Sequence, residues 1–228
     1  MFVLGIDVGT QGAHALIVDL DGHVVAEAHR SFACQQTVSA HPGRFEQDPN
    51  LWRTTMFEVV AKAVARLVEG CSPADAIAAL SVTSTSGTLC LVDAQGEPVG
   101  PAIMYSDVRA SAAAEEVQAA GADWAEKLGT RFNASFALSK LRWIQQNEPG
   151  RLERARWCSS PADLLIGWLC GEWGYTDWTN ALKWGYDVID LRWPDFIAHK
   201  LGLPLEKFPQ VRSPGSVIGR ISPKASSL

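Results

Sequence analysis

The sequence has no excess of positive charge. Lysine and arginine number 20 against 25 aspartates and glutamates, a net charge of −5. No basic stripe appears, so the electrostatic footprint of a nucleic-acid binder is missing. There is no long apolar run of the kind that crosses a bilayer, and a membrane-spanning helix is not expected. The N-terminal "MFVLGID" meets an acid at Asp7, too early for the apolar region of a signal peptide. Cysteine is scarce: 5 residues (Cys34, Cys71, Cys90, Cys158, Cys170) with no C-x-x-C pair. That excludes a disulfide framework or a zinc ribbon and suits a reducing cytoplasm. The 5 histidines (His14, His23, His29, His41, His199) are dispersed and offer no metal-ligand spacing. His14, set in a strand pattern, reads as a structural or surface residue.

What is present is ordinary for a globular chain, with 47 % hydrophobic and 20 % charged residues in 228 positions. That length accommodates one large domain or two small ones. Phe2–Val8, His14–Leu20 and Val24–Phe32 read as strands joined by turn signals, "DLDG" among them, and predict a three-stranded antiparallel meander. In "EQDPN", Asp48 is a helix cap and Pro49 lies in the first turn. Apolar residues recur at three and four from Leu51 to Val68 and predict an amphipathic helix, stopped by "EGCSP". Ile77–Thr83 reads as a strand, "LCLVDAQGEPV" as a strand with a turn and return, and Ile103–Tyr105 as a further strand. Helices are predicted at Ala110–Ala120, Phe136–Gln146, Pro161–Leu169 and Phe196–Leu201. The tail "SPKASSL" is expected to fray. The class is α/β with a mixed sheet flanked by helices.

The stretch "GIDVGTQGAHALIVDLDG" (Gly5–Gly22) places an acid and turn residues where apolar strand could have continued. A buried carboxylate without a partner is costly, and its usual justification is a cation. Gly9, Thr10, Gln11 and Gly12 can present successive N–H groups and a hydroxyl to a phosphate. Asp7 would then face a Mg²⁺ bridging the phosphates. A plain hairpin turn with a surface acid is the alternative.

The same stretch resembles the opening of the sugar-kinase, heat-shock-ATPase and actin superfamily, in which D-x-G-T is the first phosphate loop. "FEQDPNLW" (Phe45–Trp52), "GPAIMYSDVRA" (Gly100–Ala110), "YTDWTNALKWGYD" (Tyr175–Asp187) and "SPGSVIGRI" (Ser213–Ile221) resemble, in order, four further segments of the FGGY carbohydrate kinases. These are E-Q-D-P-x-x-W, P-A-I-x-W-x-D-x-R, a D-x-x-N-A block and a P-G-x-x-x-G turn. The resemblance implies a ribonuclease H-like domain spanning 1–228, with ATP and sugar bound between it and a second, C-terminal domain that this chain does not include. It implies ATP and Mg²⁺ as cofactors, a small sugar as substrate, and a cytoplasmic enzyme. A homodimer is one assembly the sequence allows.

The substrate signal in that family falls on "STSGT" (Ser84–Thr88). Xylulokinases carry Q-M-H-G there and glycerol kinases an Arg-Glu pair; here Ser86 and Gly87 take the place. "TSGT" with "NALKWGY" resembles the D-ribulose kinase branch. By the same resemblance Asp107, Ser135 with Phe136, and Asn180 line the sugar; the alternative for Ser86 is a turn residue ending a strand. Arg109 is expected in a structural ion pair, and Trp184, beside Asn180, is the tryptophan to test for the pocket. No G-G-x-D or G-T-x-D turn follows Gly219, so the general base is expected after Leu228. The alternative functions are a non-catalytic sugar- or nucleotide-binding module of the same fold, or a kinase for xylulose, glycerol or another polyol.

Overall fold

A computed structural model describes residues 1–32, 37–38, 41–70 and 72–226. Cys34, Cys71 and the last two residues of the predicted fraying tail lie outside them. The chain opens with the expected meander, β1 (Phe2–Val8), β2 (Gly12–Asp19) and β3 (Val24–Ser31). Two short strands, β4 (Thr37–Val38) and β5 (Phe45–Gln47), lead to helix α1 (Pro49–Glu69). Asp48 caps α1 by accepting from the Asn50 N–H, and Pro49 opens its first turn, where no intrahelical donor is needed. Trp52, Met56, Val59, Ala63 and Leu67 form its buried stripe.

Strand β6 (Ile77–Ser84) returns parallel to β1, giving the four-stranded mixed sheet β3-β2-β1-β6. A parallel pairing needs a crossover, and α1 supplies it. Helices α1 and, further along, α6 (Pro161–Cys170) cover one face of this sheet. On the other face Gly5, Asp7, His14, Ala79, Ser81 and Thr83 are exposed.

A second layer is built on β7 (Cys90–Val92), β8 (Ala102–Ile103), α2 (Ser111–Ala120), α3 (Ala122–Lys127), α4 (Ala137–Asn147), α5 (Pro149–Arg154) and β9 (Trp157–Ser159). Strand alternation makes β7 a shared wall. Cys90 and Val92 join the sheet–α1 core, while Leu89 and Leu91 join a second core with Val117, Leu138, Leu141 and Ile197. After α6 come β10 (Tyr175–Asp177), α7 (Trp178–Leu182), α8 (Phe196–His199), β11 (Gln210–Arg212) and α9 (Pro223–Ser226). α9 replaces the frayed tail over its four residues: Ser222 Oγ accepts from the Ala225 N–H (3.1 Å), and the Ser222 N–H ties back to Leu169 (2.9 Å). The return strand expected after Asp93–Gly96 shrinks to one bridge, Val92 with Pro98.

Candidate functional site

In β1, Leu4, Ile6 and Val8 point into the core, so Gly5 and Asp7 face outward. Asp7 is therefore not the buried acid its apolar flanks implied. It lies on the uncovered sheet face, in register with His14 on β2 and Thr83 on β6. Its carboxylate makes no hydrogen bond or ion pair among the described residues. His14 is a surface residue whose Nε2 lies 3.4 Å from Glu27.

The turn after Asp7 is a tight hairpin. The Gly9 N–H donates to the Gly12 carbonyl (2.9 Å), so this donor of the expected nest is already engaged. At Gly12 a Cβ would come closer than 3.0 Å to the Arg30 carbonyl; glycine is what lets β2 approach β3 there. Gln47 stands behind the turn. Its Nε2 donates to the Thr10 carbonyl (2.8 Å), and its Oε1 accepts from Trp52 Nε1 (2.9 Å).

The second part is a cleft of roughly 530 Å³ between the start of α2 and the chain before α4. Tyr105, Ser106, Asp107, Ser111, Glu115 and Asn133–Ser135 line it. Asp107 itself is fully buried. Its carboxylate accepts from the Phe45 N–H (2.7 Å), the Arg109 N–H (2.9 Å), Arg109 Nε (2.9 Å) and Arg109 Nη2 (2.7 Å). Burial alone would raise its pKa; the Arg109 and backbone bonds outweigh that and hold it below the usual carboxylate value. Arg109 also reaches Glu46 (2.7 Å), completing the ion pair expected for it.

Across the cleft, Asn133 Oδ1 accepts from the Ser135 N–H (2.9 Å) and hydroxyl (2.6 Å). Lys140 is fully buried on α4 and donates to the Ala134 carbonyl (2.5 Å). Burial lowers its pKa to about 7. Gly87, at φ 77°, packs its Cα against the Ser135 carbonyl. Lys183 runs beside Gly87 and sets its ammonium 4.2 Å from the centre of the Phe136 ring.

The cleft thus joins Asp107 with Ser135, and Gly87 touches its wall. Ser86 is exposed on the adjoining turn, which is closed by a Thr85–Thr88 hydroxyl bond (2.9 Å). Asn180 is held within the cap of α7, its N–H and Nδ2 donating to Asp177 (3.0 and 3.2 Å). Trp184 is core instead of pocket: it is 1 % exposed and packs edge-to-face on Phe208. Residues not singled out from the sequence are Tyr105, Asn133, Lys140 and Gln47. Tyr105 had a legible signal, because it occupies the aromatic place of the P-A-I-x-W segment.

Strand β5 joins the two parts. Gln47 at one end bonds the turn, and the Phe45 N–H at the other bonds Asp107. Two residue steps of strand separate them, about 7 Å. An α/β domain with an exposed carboxylate beside a glycine-flanked hairpin, and a polar cleft tied to the same short strand, has the groups of a site for a metal-associated anion and a polyhydroxylic ligand. The model of the FGGY family of carbohydrate kinases, N-terminal domain, matches residues 2–228, and the chain belongs to that family. It is 32 % identical to a glycerol kinase of Petrotoga mobilis and 33 % identical to a xylulose kinase of Streptomyces coelicolor, each match covering 96 % of this chain and 44 % of the relative. The xylulose kinase structure from Rhodospirillum rubrum superposes with a TM-score of 0.88 at 26 % identity, covering 100 % of this chain and 46 % of that one. The chain thus spans a little under half the length of these relatives.

Proposed function

We propose that the chain is the N-terminal domain, residues 1–228, of a Mg-ATP-dependent carbohydrate kinase whose acceptor is a ketopentose, D-ribulose first. The observation that carries this reading is the joining of the turn and the cleft by β5, in a chain that matches the family model over nearly its whole length. In this reading the Thr10–Gly12 turn takes phosphate, and Ser86, Gly87, Asp107, Ser135 and Asn180 belong to the sugar side. The free, exposed carboxylate of Asp7 is a hard oxygen donor of the kind Mg²⁺ accepts alongside water and phosphate. The metal would supply charge neutralisation on the phosphates.

Phosphoryl transfer is mainly a matter of positioning hydroxyl against phosphorus, with a carboxylate to take the proton. In the described cleft both Asp107 oxygens are engaged, and Glu115 lies exposed at the rim beside Arg131 (2.9 Å). We assign the general base to the second domain, and the chain alone is expected to form no ADP. The small residues Ser86 and Gly87, on the turn beside the cleft, support the ketopentose. The names of the relatives favour a second reading, xylulose or glycerol as acceptor. The scattered cysteines and the absence, among the described residues, of a helix long and apolar enough to cross a membrane are in keeping with a cytoplasmic enzyme.

The test is a coupled ADP-release screen of the complete reading frame against D-ribulose, D-xylulose and glycerol. D-Ribulose should give the highest kcat/KM. A win for xylulose or glycerol replaces the substrate, and no sugar-dependent ADP with any acceptor points to a binding module.

A further inference from the structure

The "FEQDPNLW" stretch has a structural task at almost every residue, and one of them faces the phosphate turn. Glu46 holds Arg109, the Phe45 N–H holds Asp107, Asp48 and Pro49 start α1, and Trp52 enters the core. Gln47 is 1 % exposed, yet its amide is not packed against apolar atoms alone. A side-chain amide has a donor end and an acceptor end, and here each has one defined partner. Trp52 Nε1 fixes the oxygen and thereby aims the nitrogen at Thr10.

We infer that Gln47 is a positioning residue for the nucleotide phosphates, setting the Thr10 carbonyl and so the direction in which the Thr10–Gly12 turn presents its N–H groups. This rests on the kinase reading above. Gln47 touches no substrate itself; it acts through the turn. Its neighbours on β5 act on the cleft instead, so the strand separates two effects: Gln47 for phosphate and Glu46 for sugar.

The experiment uses Gln47→Met, which keeps shape and removes both bonds, and Trp52→Phe, which removes only the bond that aims the amide. In the purified chain, hydrogen exchange of the Gly9 amide, which closes the turn on the Gly12 carbonyl (2.9 Å), should quicken about three- to tenfold in Gln47→Met, the range one lost hydrogen bond supports. Exchange at Ile6 and Ala15, inside the sheet, should stay as in the parent. In the complete kinase, KM for ATP should rise about three- to tenfold with KM for sugar unchanged; Trp52→Phe should move it the same way by less, and Glu46→Gln should move the sugar KM instead. Unchanged exchange at the turn overturns the inference whatever the enzyme does. So does a Gln47→Met enzyme in which both KM values move together, the mark of a merely structural role. A parent enzyme with no ATP turnover, but with turn exchange quickened in the variant, sinks the kinase reading and the phosphate role while Gln47 still holds the turn.

Discussion

Replacing Gly87 with alanine should damage the cleft in a way that can be split into two measurable parts. Gly87 has φ 77°, a left-handed conformation that costs an L side chain about 1–2 kcal/mol. A Cβ there would also come closer than 3.0 Å to the Ser135 carbonyl oxygen, a backbone atom with little room to yield. Overpacking of that kind costs about 1–3 kcal/mol. The sum is about 2–5 kcal/mol, or about 4–20 °C in Tm for a chain of this size. Gly171→Ala is the control. Gly171 has φ 79° and nothing within 4 Å of the built Cβ, so it carries the backbone strain alone, about 2–8 °C by the same conversion. Thermal melts of the two variants side by side give the contact by difference. Sugar titration followed by tryptophan fluorescence should show weaker binding only for Gly87→Ala, because only there does the Ser135 wall have to move. Equal Tm shifts in the two variants would refute the close packing of Gly87 on Ser135.

Two further predictions concern pH. Lys140 has its pKa lowered by burial to about 7 from 10.5; the unfolded chain therefore holds the extra proton between those values, and native stability should rise from pH 7 toward 10 and be lost as pH falls back through 7. Lys140→Met should flatten that slope in pH-dependent melts, and a variant slope equal to the parent's would show that the lysine is not desolvated. Asp163 is the reverse case, its pKa raised by burial from 3.8 to about 7, so the folded state favours the proton and stability should fall between pH 4 and 7. Asp163→Asn keeps an acceptor for the Ser160 N–H, now at 2.8 Å, and should gain on the parent as pH rises; a constant gap across that range would contradict the assignment.

How much was legible in the sequence depended on element length and on reach along the chain. The meander and α1 showed because alternation over seven or more residues, and the Asp48–Pro49 start, are local signals. Helices α3, α5 and α7 run 5–6 residues, too short for a 3.6-residue period to declare itself. For α7 the Asp177 cap, accepting from Thr179 and Asn180, was visible in "YTDWTN" and could have marked it. Parallel pairing of β1 with β6 has no local signature, since their partners, such as Phe2 and Ile77, lie far apart in the chain. Asp7 was read as buried from its apolar neighbours; strand alternation, applied residue by residue, would have turned it outward. Asp107 and Arg109 were recognisable by resemblance, but the fourth bond to the Asp107 carboxylate comes from Phe45, 62 residues away. Trp184 was drawn toward the pocket by its nearness to Asn180 in sequence, and packing on Phe208 took it into the core.

Asp7 is where the proposed phosphate site is most directly tested. In the complete kinase, Asp7→Ala should leave the melting curve unchanged, because the side chain is exposed and makes no hydrogen bond or ion pair among the described residues. Turnover should fall at least about a hundredfold, since a carboxylate that helps neutralise the phosphates stabilises the transition state more than the ground state. The measurement is kcat from ADP release with saturating ATP, Mg²⁺ and sugar, paired with Tm. An unchanged Tm with turnover lost is the predicted result; a near-parental kcat at the same Tm would make Asp7 a turn residue and contradict the site.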